Sequence, residues 1–215
     1  MIYLDVNPSI TIEINKNEKV LNVVANNADG EKILDDMDLK HTDLDTAVNA
    51  LIGSMVKYGY LSDAQNMILV SVDGKDAQYT ETLRTELSDD IYESVQALIG
   101  SGAVLDQRVT ANDTLKELAK TYGISPGKAW LISLLTDANP DLKAADLAAL
   151  PISELAVRLK EAGIDLREYV NYHGLDDDWF DFDDIDDTDS DDALDELIDD
   201  HDDGDHDDGD EYDDD

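Results

Sequence analysis

The residues of this chain best placed to react with their own backbone are Asn7 and Pro8. Asparagine ordinarily deamidates when the following backbone N–H attacks its side-chain carbonyl, and proline has no N–H to offer. What remains at Asn7-Pro8 is attack by the Asn7 side-chain nitrogen on the Asn7 carbonyl carbon. That closes a succinimide on Asn7 and expels Pro8 as a new N-terminus. The reaction is very slow in a flexible peptide. A fold can accelerate it by holding the amide nitrogen near the carbonyl carbon and by straining the bond. The reaction also needs a donor for the developing oxyanion and a proton for the leaving nitrogen. Asp5 and Ser9, two residues away on either side of Asn7, are the nearest candidates to orient the amide and protonate the leaving group. The bland alternative is that Asn7-Pro8 marks only a β-bulge or strand entry. A second pair, Asn139-Pro140, is an internal control expected at a helix end.

Little else in the chain suggests chemistry. With no cysteine, a thiolate nucleophile, a disulfide framework and a cysteine-based zinc site are excluded. His41 and His173 fall in apparent loops with no evident partner, and Ser54, Ser71 and Ser101 lack a nucleophile-elbow context. A hydrolase has no constellation behind it, so single-turnover self-cleavage is expected and a multiple-turnover active site is not. The segment Asp199 to Asp210 misses the calcium-loop pattern, with His201 at its third position and no Glu at its twelfth. His201 and His206 offer transition metals little more. No metal or cofactor is expected.

The elements that must position Asn7-Pro8 begin with the clearest periodicity in the chain. Apolar residues and Pro8 occupy every even position from Ile2 to Ile14, which reads as one long half-buried strand. Pro8 in mid-strand is awkward, because it removes a ladder donor. A turn at Asn15 to Glu18 precedes a second strand from Val20 to Ala25, and Asn26 to Gly30 is turn-rich. Helical spacing takes over at Leu44 and runs to Val56, with Thr42 or Asp43 as N-cap and Gly59 as a stop. Met67 to Val72 is a short apolar strand, Ala77 to Ile99 a long helix, and Ala103 to Val109 a last strand. The order β-β-α-β-α-β predicts an α+β fold: a mixed sheet with two helices packed on it. Residues 111–172 read as helices only, with segments ending at Tyr122, Leu135, Leu150 and Ala162. The expected organisation is an α+β domain at 1–110, a helical subdomain at 111–172 and a disordered Asp-rich tail at 173–215.

Charge supports that division. From Gly174 to Asp215 there are 23 Asp and 2 Glu without a Lys or Arg, which is −25 of the total −38. Like charges at this density favour an extended, disordered segment. Within it, Trp179, Phe180 and Phe182 suggest either a docking motif or a fold-back onto the domain. So acidic a chain lacks the basic footprint that nucleic-acid binding requires. No apolar run approaches the roughly 18 residues of a membrane span, and no signal peptide is evident. If the protein is exported or anchored, the element responsible is expected to have been removed or to lie upstream.

Tyr3-Leu4-Asp5-Val6-Asn7-Pro8-Ser9-Ile10, the Ile/Glu alternation after it, and Asn27-Ala28-Asp29-Gly30-Glu31-Lys32-Ile33-Leu34 resemble the middle domain of RsgI-type anti-sigma-I factors. The resemblance extends through Asp43 to Leu61 and into the helical part to about residue 160. It implies a single-pass membrane protein whose cytoplasmic segment holds a sigma factor inactive, with this domain on the extracytoplasmic face. It also implies that Asn7-Pro8 cleaves itself while the two pieces stay associated. Their separation would then admit an intramembrane protease. The cytoplasmic segment and membrane helix of that family are absent from this chain. No carbohydrate-binding module follows the helices, so a cell-wall or polysaccharide ligand stays open. Cleavage would leave residues 1–7 as a strand held by Ile2, Leu4 and Val6, worth roughly 5–9 kcal/mol gross at about 1.5–3 each. The other reading is a non-cleaving cell-surface interaction module, monomeric, with an acidic tail that binds cations weakly.

Overall fold

The alternation from Ile2 to Ile14 conceals a reversal of the chain. In the computed structural model, which describes residues 1–35, 37–62, 67–175 and 179, the segment is two strands, β1 (Ile2–Asp5) and β2 (Ser9–Ile14). They pair antiparallel, with Leu4 opposite Ile10 and Asp5 opposite Ser9. The three residues between them, Val6, Asn7 and Pro8, form the hairpin turn, where the Val6 N–H donates to the Pro8 carbonyl at 3.1 Å. The single long strand expected from the pattern is thus corrected. An odd-numbered turn preserves the parity of burial, so alternation alone does not register it. Pro8 is the physical reason for the break, since a central strand cannot use a residue with no ladder donor.

The sheet is mixed and six-stranded, in the order β3-β2-β1-β4-β5-β6, with β3 at Val20–Ala25, β4 at Met67–Val72, β5 at Ala103–Arg108 and β6 at Asn171–His173. β4 and β5 run parallel, and β1 is antiparallel to both of its neighbours, β2 and β4. β6 returns antiparallel along β5 and so runs in the same direction as β1. The α+β class is as expected. The order gains a strand at the first hairpin, a helix, α1 (Ala28–Leu34), where only a turn was foreseen, and the strand β6 at the end of a stretch expected to hold helices only.

Two hydrophobic clusters lie on opposite faces of this sheet. One holds Ile2, Leu4, Val6, Ile10 and Ile12 against α2 (Leu44–Lys57) and α3 (Ala77–Ile99). The other holds Tyr3, Leu69 and Leu105 against α4 (Asp113–Tyr122), α5 (Pro126–Ala138), α6 (Ala144–Ala148) and α7 (Ile152–Glu161). All four side chains of β1 are consequently buried, two toward each layer. Caps follow the sequence closely. Asn112 and Ser125 close the N-termini of α4 and α5 with their side chains, and Gly100 and Gly123 end α3 and α4 in the left-handed conformation. Asn139-Pro140 lies at the C-terminus of α5, as expected of the control pair. Gly127 admits α5 against the sheet, because a Cβ there would overlap the Ser71 hydroxyl. Arg84 of α3 pairs with buried Asp106 of β5, which also accepts from Ser88 at 2.8 Å. Trp179 folds back onto α7, its carbonyl accepting from Lys160 Nζ at 2.7 Å. The Asp-rich repeats, His201, His206, Phe180 and Phe182 lie outside the described residues. Among those described, no helix is long and apolar enough to cross a membrane.

Candidate functional site

The turn at Asn7-Pro8 is met from the β3–α1 connection. Asn27 is the N-cap of α1, its Oδ1 accepting from the Gly30 N–H at 2.8 Å and from the Ser9 N–H at 3.2 Å. Those two bonds fix the orientation of its amide, which turns Nδ2 onto the Asn7 carbonyl oxygen at 2.8 Å. A donor therefore sits on the oxygen that would become negative if the Asn7 carbonyl carbon were attacked.

The Asn7 side chain is held by a second residue of the same helix. Its Nδ2 donates to Asp29 Oδ2 at 2.9 Å, while Asp29 Oδ1 accepts from the Tyr60 hydroxyl at 2.7 Å. Gly59, in the left-handed conformation, ends α2 and delivers Tyr60 to this point. The carboxylate raises the Tyr60 hydroxyl to about 12, chiefly through their hydrogen bond, so Tyr60 remains a donor. The Lys32 ammonium lies 5.1 Å from the Tyr60 ring and 5.0 Å from that of Tyr58. The nucleophilic nitrogen thus faces a carboxylate, and the carbonyl it would attack faces an amide donor.

Asp5 and Ser9 do not flank Asn7 along one strand face, where a single strand from Ile2 to Ile14 would put them. They oppose each other across the hairpin mouth, and both are buried. Asp5 Oδ2 accepts from Ser125 Oγ at 2.5 Å, and its Oδ1 is buried without a hydrogen-bond partner among the described residues. Burial pushes the Asp5 carboxyl above the usual range, against the pull of the Ser125 and Ser9 hydroxyls and the Lys128 charge. Ser9 accepts through Oγ from Asn26 Nδ2 at 3.0 Å, and its carbonyl takes the Asn26 N–H at 2.8 Å. On the other flank, the Ile152 N–H at the start of α7 donates to the Val6 carbonyl at 2.8 Å.

From the sequence, Asn27, Asp29 and Tyr60 have no assigned role in the reaction, although Asn27 and Asp29 lie in the segment that carries the resemblance. The signal for Asn27 was present: an N-cap residue followed by Asp29 and Glu31 in the first turn. Gly30 in that turn is needed for close approach, since a Cβ would come within 2.7 Å of the Ser9 carbonyl oxygen and 3.2 Å of Asn27 Oδ1. Gly30→Ala is expected to lower stability by about 1–3 kcal/mol through this crowding, a shift readable as a lower urea midpoint with unchanged slope.

This part of the chain is similar to known proteins. A family model described as "Anti-sigma factor RsgI-like central domain" matches residues 1–134. Anti-sigma-I factor RsgI7 of Acetivibrio thermocellus is 27% identical over 180 residues, covering 82% of this chain and 32% of that protein. RsgI9 of the same organism is 26% identical over 164 residues, covering 74% of this chain and 23% of the relative. Anti-sigma-I factor RsgI of Bacillus subtilis is 23% identical over 129 residues, covering 58% of this chain and 32% of the relative. The chain spans a third or less of the length of these three curated relatives.

Proposed function

Because this chain belongs to the family of anti-sigma factor RsgI-like central domains, we propose that it is the extracytoplasmic signalling part of an anti-sigma-I-type regulator and that it cuts itself once, at Asn7-Pro8. The observation that carries this reading is the pair of contacts on one residue. Asp29 holds the Asn7 side-chain nitrogen at 2.9 Å, and Asn27 holds the Asn7 carbonyl oxygen at 2.8 Å.

The step balances without water. Asn7 Nδ2 gives one proton to Asp29 as it bonds to the Asn7 carbonyl carbon. The oxyanion is held by Asn27 Nδ2. The bond to Pro8 then breaks, its electron pair returning to the Pro8 nitrogen, which takes up a proton. The products are a C-terminal succinimide on Asn7 and a free secondary amine at Pro8. Asp5 and Ser9, at the mouth of the turn, are the groups on the leaving side. Tyr60 positions Asp29.

In the full-length regulator, a membrane helix would enter near Ile2 and a cytoplasmic segment would hold a sigma factor. Once residues 1–7 separate from the rest, an intramembrane protease would gain access. Any wall or polysaccharide ligand would act from the outer side. None of these partners needs a multiple-turnover site in this domain.

Mass spectrometry of the purified chain under denaturing conditions tests the reading. Two pieces are expected, 1–7 and 8–215, whose masses sum to that of the whole chain until the succinimide hydrolyses. Asn7→Ala is expected to stay whole. A native chain that remains uncut after prolonged incubation would count decisively against self-cleavage.

A further inference from the structure

β1 is the strand that a cut at Asn7-Pro8 turns into a separate peptide, and it lies in a slot between β2 and β4. Main-chain pairing along both edges suits any extended peptide, so selection among strands has to come from side chains. Ile2, Leu4 and Val6 enter one hydrophobic cluster and Tyr3 the other, as alternate residues of a strand do. Asp5 breaks this pattern. It falls on the Tyr3 face, opposite Leu69 of β4, and is 1% exposed where a further apolar side chain would be expected. A carboxyl so deeply placed is costly unless it is hydrogen-bonded.

Its partner comes from the helical layer. Ser125, fully buried, is the N-cap of α5, and its Oγ accepts from the Lys128 N–H at 3.0 Å. The one hydroxyl proton is left free for Asp5 and is donated to Oδ2 at 2.5 Å. The first turn of α5 is fixed where it makes this contact. Gly127 lies against Ser71 of β4 with no room for a Cβ, and Lys128 Nζ donates to the Leu150 carbonyl at 2.6 Å. Leu150 is two residues before Ile152, whose N–H holds the Val6 carbonyl at 2.8 Å. The starts of α5 and α7 are thereby tied together over Asp5 and Val6, the two residues before Asn7. One holds a side chain and the other a backbone group.

We infer that the slot between β2 and β4 is a peptide-binding site, and that Ser125 makes it selective for a strand carrying a carboxyl at the place of Asp5. The inference rests on the self-cleavage reading given above, which frees residues 1–7 to leave and return. Its ligand is residues 1–7 themselves: an extended peptide, apolar at alternate positions, with an acidic residue two before its C-terminal end. A strand with an apolar residue at that place leaves the Ser125 hydroxyl a buried donor without an acceptor. The same pair sets register. A slip of one residue turns Asp5 into the cluster of Ile10 and Ile12. A slip of two keeps the apolar faces but brings Tyr3 or Asn7 to Ser125. Only the native register returns Asn7 to Asn27 and Asp29.

Competition between peptides tests this. Cut protein is unfolded in urea with an excess of two isotope-labelled synthetic peptides in equal amounts, residues 1–7 as they stand and the same peptide with Asp5→Leu. The mixture is refolded by dilution, and native mass spectrometry gives the ratio in which the two are taken up. Ser125→Gly removes the hydroxyl while leaving a serviceable N-cap. In that variant the ratio of unsubstituted to Asp5→Leu peptide should fall roughly 5- to 100-fold, the effect of stranding one buried donor or relieving it. Uptake of neither peptide by the native protein overturns the peptide site. An unchanged ratio in Ser125→Gly overturns the assignment of Ser125. If Ser125→Gly takes up neither peptide, the pair is tested in the uncut Asn7→Ala chain. There Asp5→Leu and Ser125→Gly should be non-additive in their effect on the urea midpoint, and additive effects overturn the pairing. A native chain that never cuts overturns the self-cleavage reading instead, and this inference with it.

Discussion

In an Asn27→Asp variant the succinimide is expected to form about 10²–10³ times more slowly than in the native chain, the usual cost of removing one oxyanion donor. The substitution is chosen because Asn27 does two things at once. Its Oδ1 caps α1 through the Gly30 N–H and binds the Ser9 N–H, and its Nδ2 binds the Asn7 carbonyl. Aspartate keeps two oxygens for the capping work, and Asp is as good an N-cap as Asn. It has no N–H to give the carbonyl. Asn27→Ala would lose the cap as well, at about 1 kcal/mol of stability, and would confuse a looser turn with a missing donor. The measurement is the first-order rate of fragment appearance by mass spectrometry, with thermal melting as control. A native rate in a chain whose amide donor is gone would remove Asn27 from the mechanism. The geometry would then be explained by helix capping alone.

The second large effect concerns the cut protein. A released segment of seven residues would normally diffuse away, but β1 has neighbours on both edges and side chains in both layers. The pieces are expected to co-purify under native conditions and to separate only on denaturation. Leu4, 1% exposed and opposite Ile10 on one side and Val70 on the other, is the centre of that hold. Leu4→Ala should weaken it by about 2–5 kcal/mol. At a factor of ten per 1.4 kcal/mol, that is roughly 30-fold to several thousandfold in the dissociation constant of the fragment. Gel filtration of the cut variant should find residues 1–7 depleted from the protein peak, while the cut native chain retains them. Equal retention in both would mean that backbone pairing alone holds the strand.

The parts of this fold legible in the sequence were those with long or uninterrupted patterns. Met67–Val72 and Ala77–Ile99 match their expected bounds, because a strand buried on both faces reads as an apolar run and a helix of six turns averages out local exceptions. Short elements were lost. α1 has seven residues with Gly30 among them, and β6 has three, too few for any period to emerge. The site suffered a different kind of loss. Asn7 and Pro8 were legible because their chemistry is local to one bond. Asp29 and Tyr60 reach the site from 22 and 31 positions away along the contacts that join them, and nothing in sequence spacing announces such meetings.

The common direction of β1 and β6 has a mechanical consequence. Running the same way in one sheet, they place the start of β1 and the end of β6 at opposite ends of it. Tension between the two ends of this domain is therefore transmitted along the strands and not across them. β1 is loaded in shear, so its rungs to β2 and to β4 resist together and yield together, whereas a sideways load would open them one at a time. With the bond at Asn7-Pro8 intact, the two parts remain joined through covalent backbone even after those rungs give way. Once that bond is cut, the same load falls on non-covalent rungs alone, and the domain becomes a slip joint with a threshold.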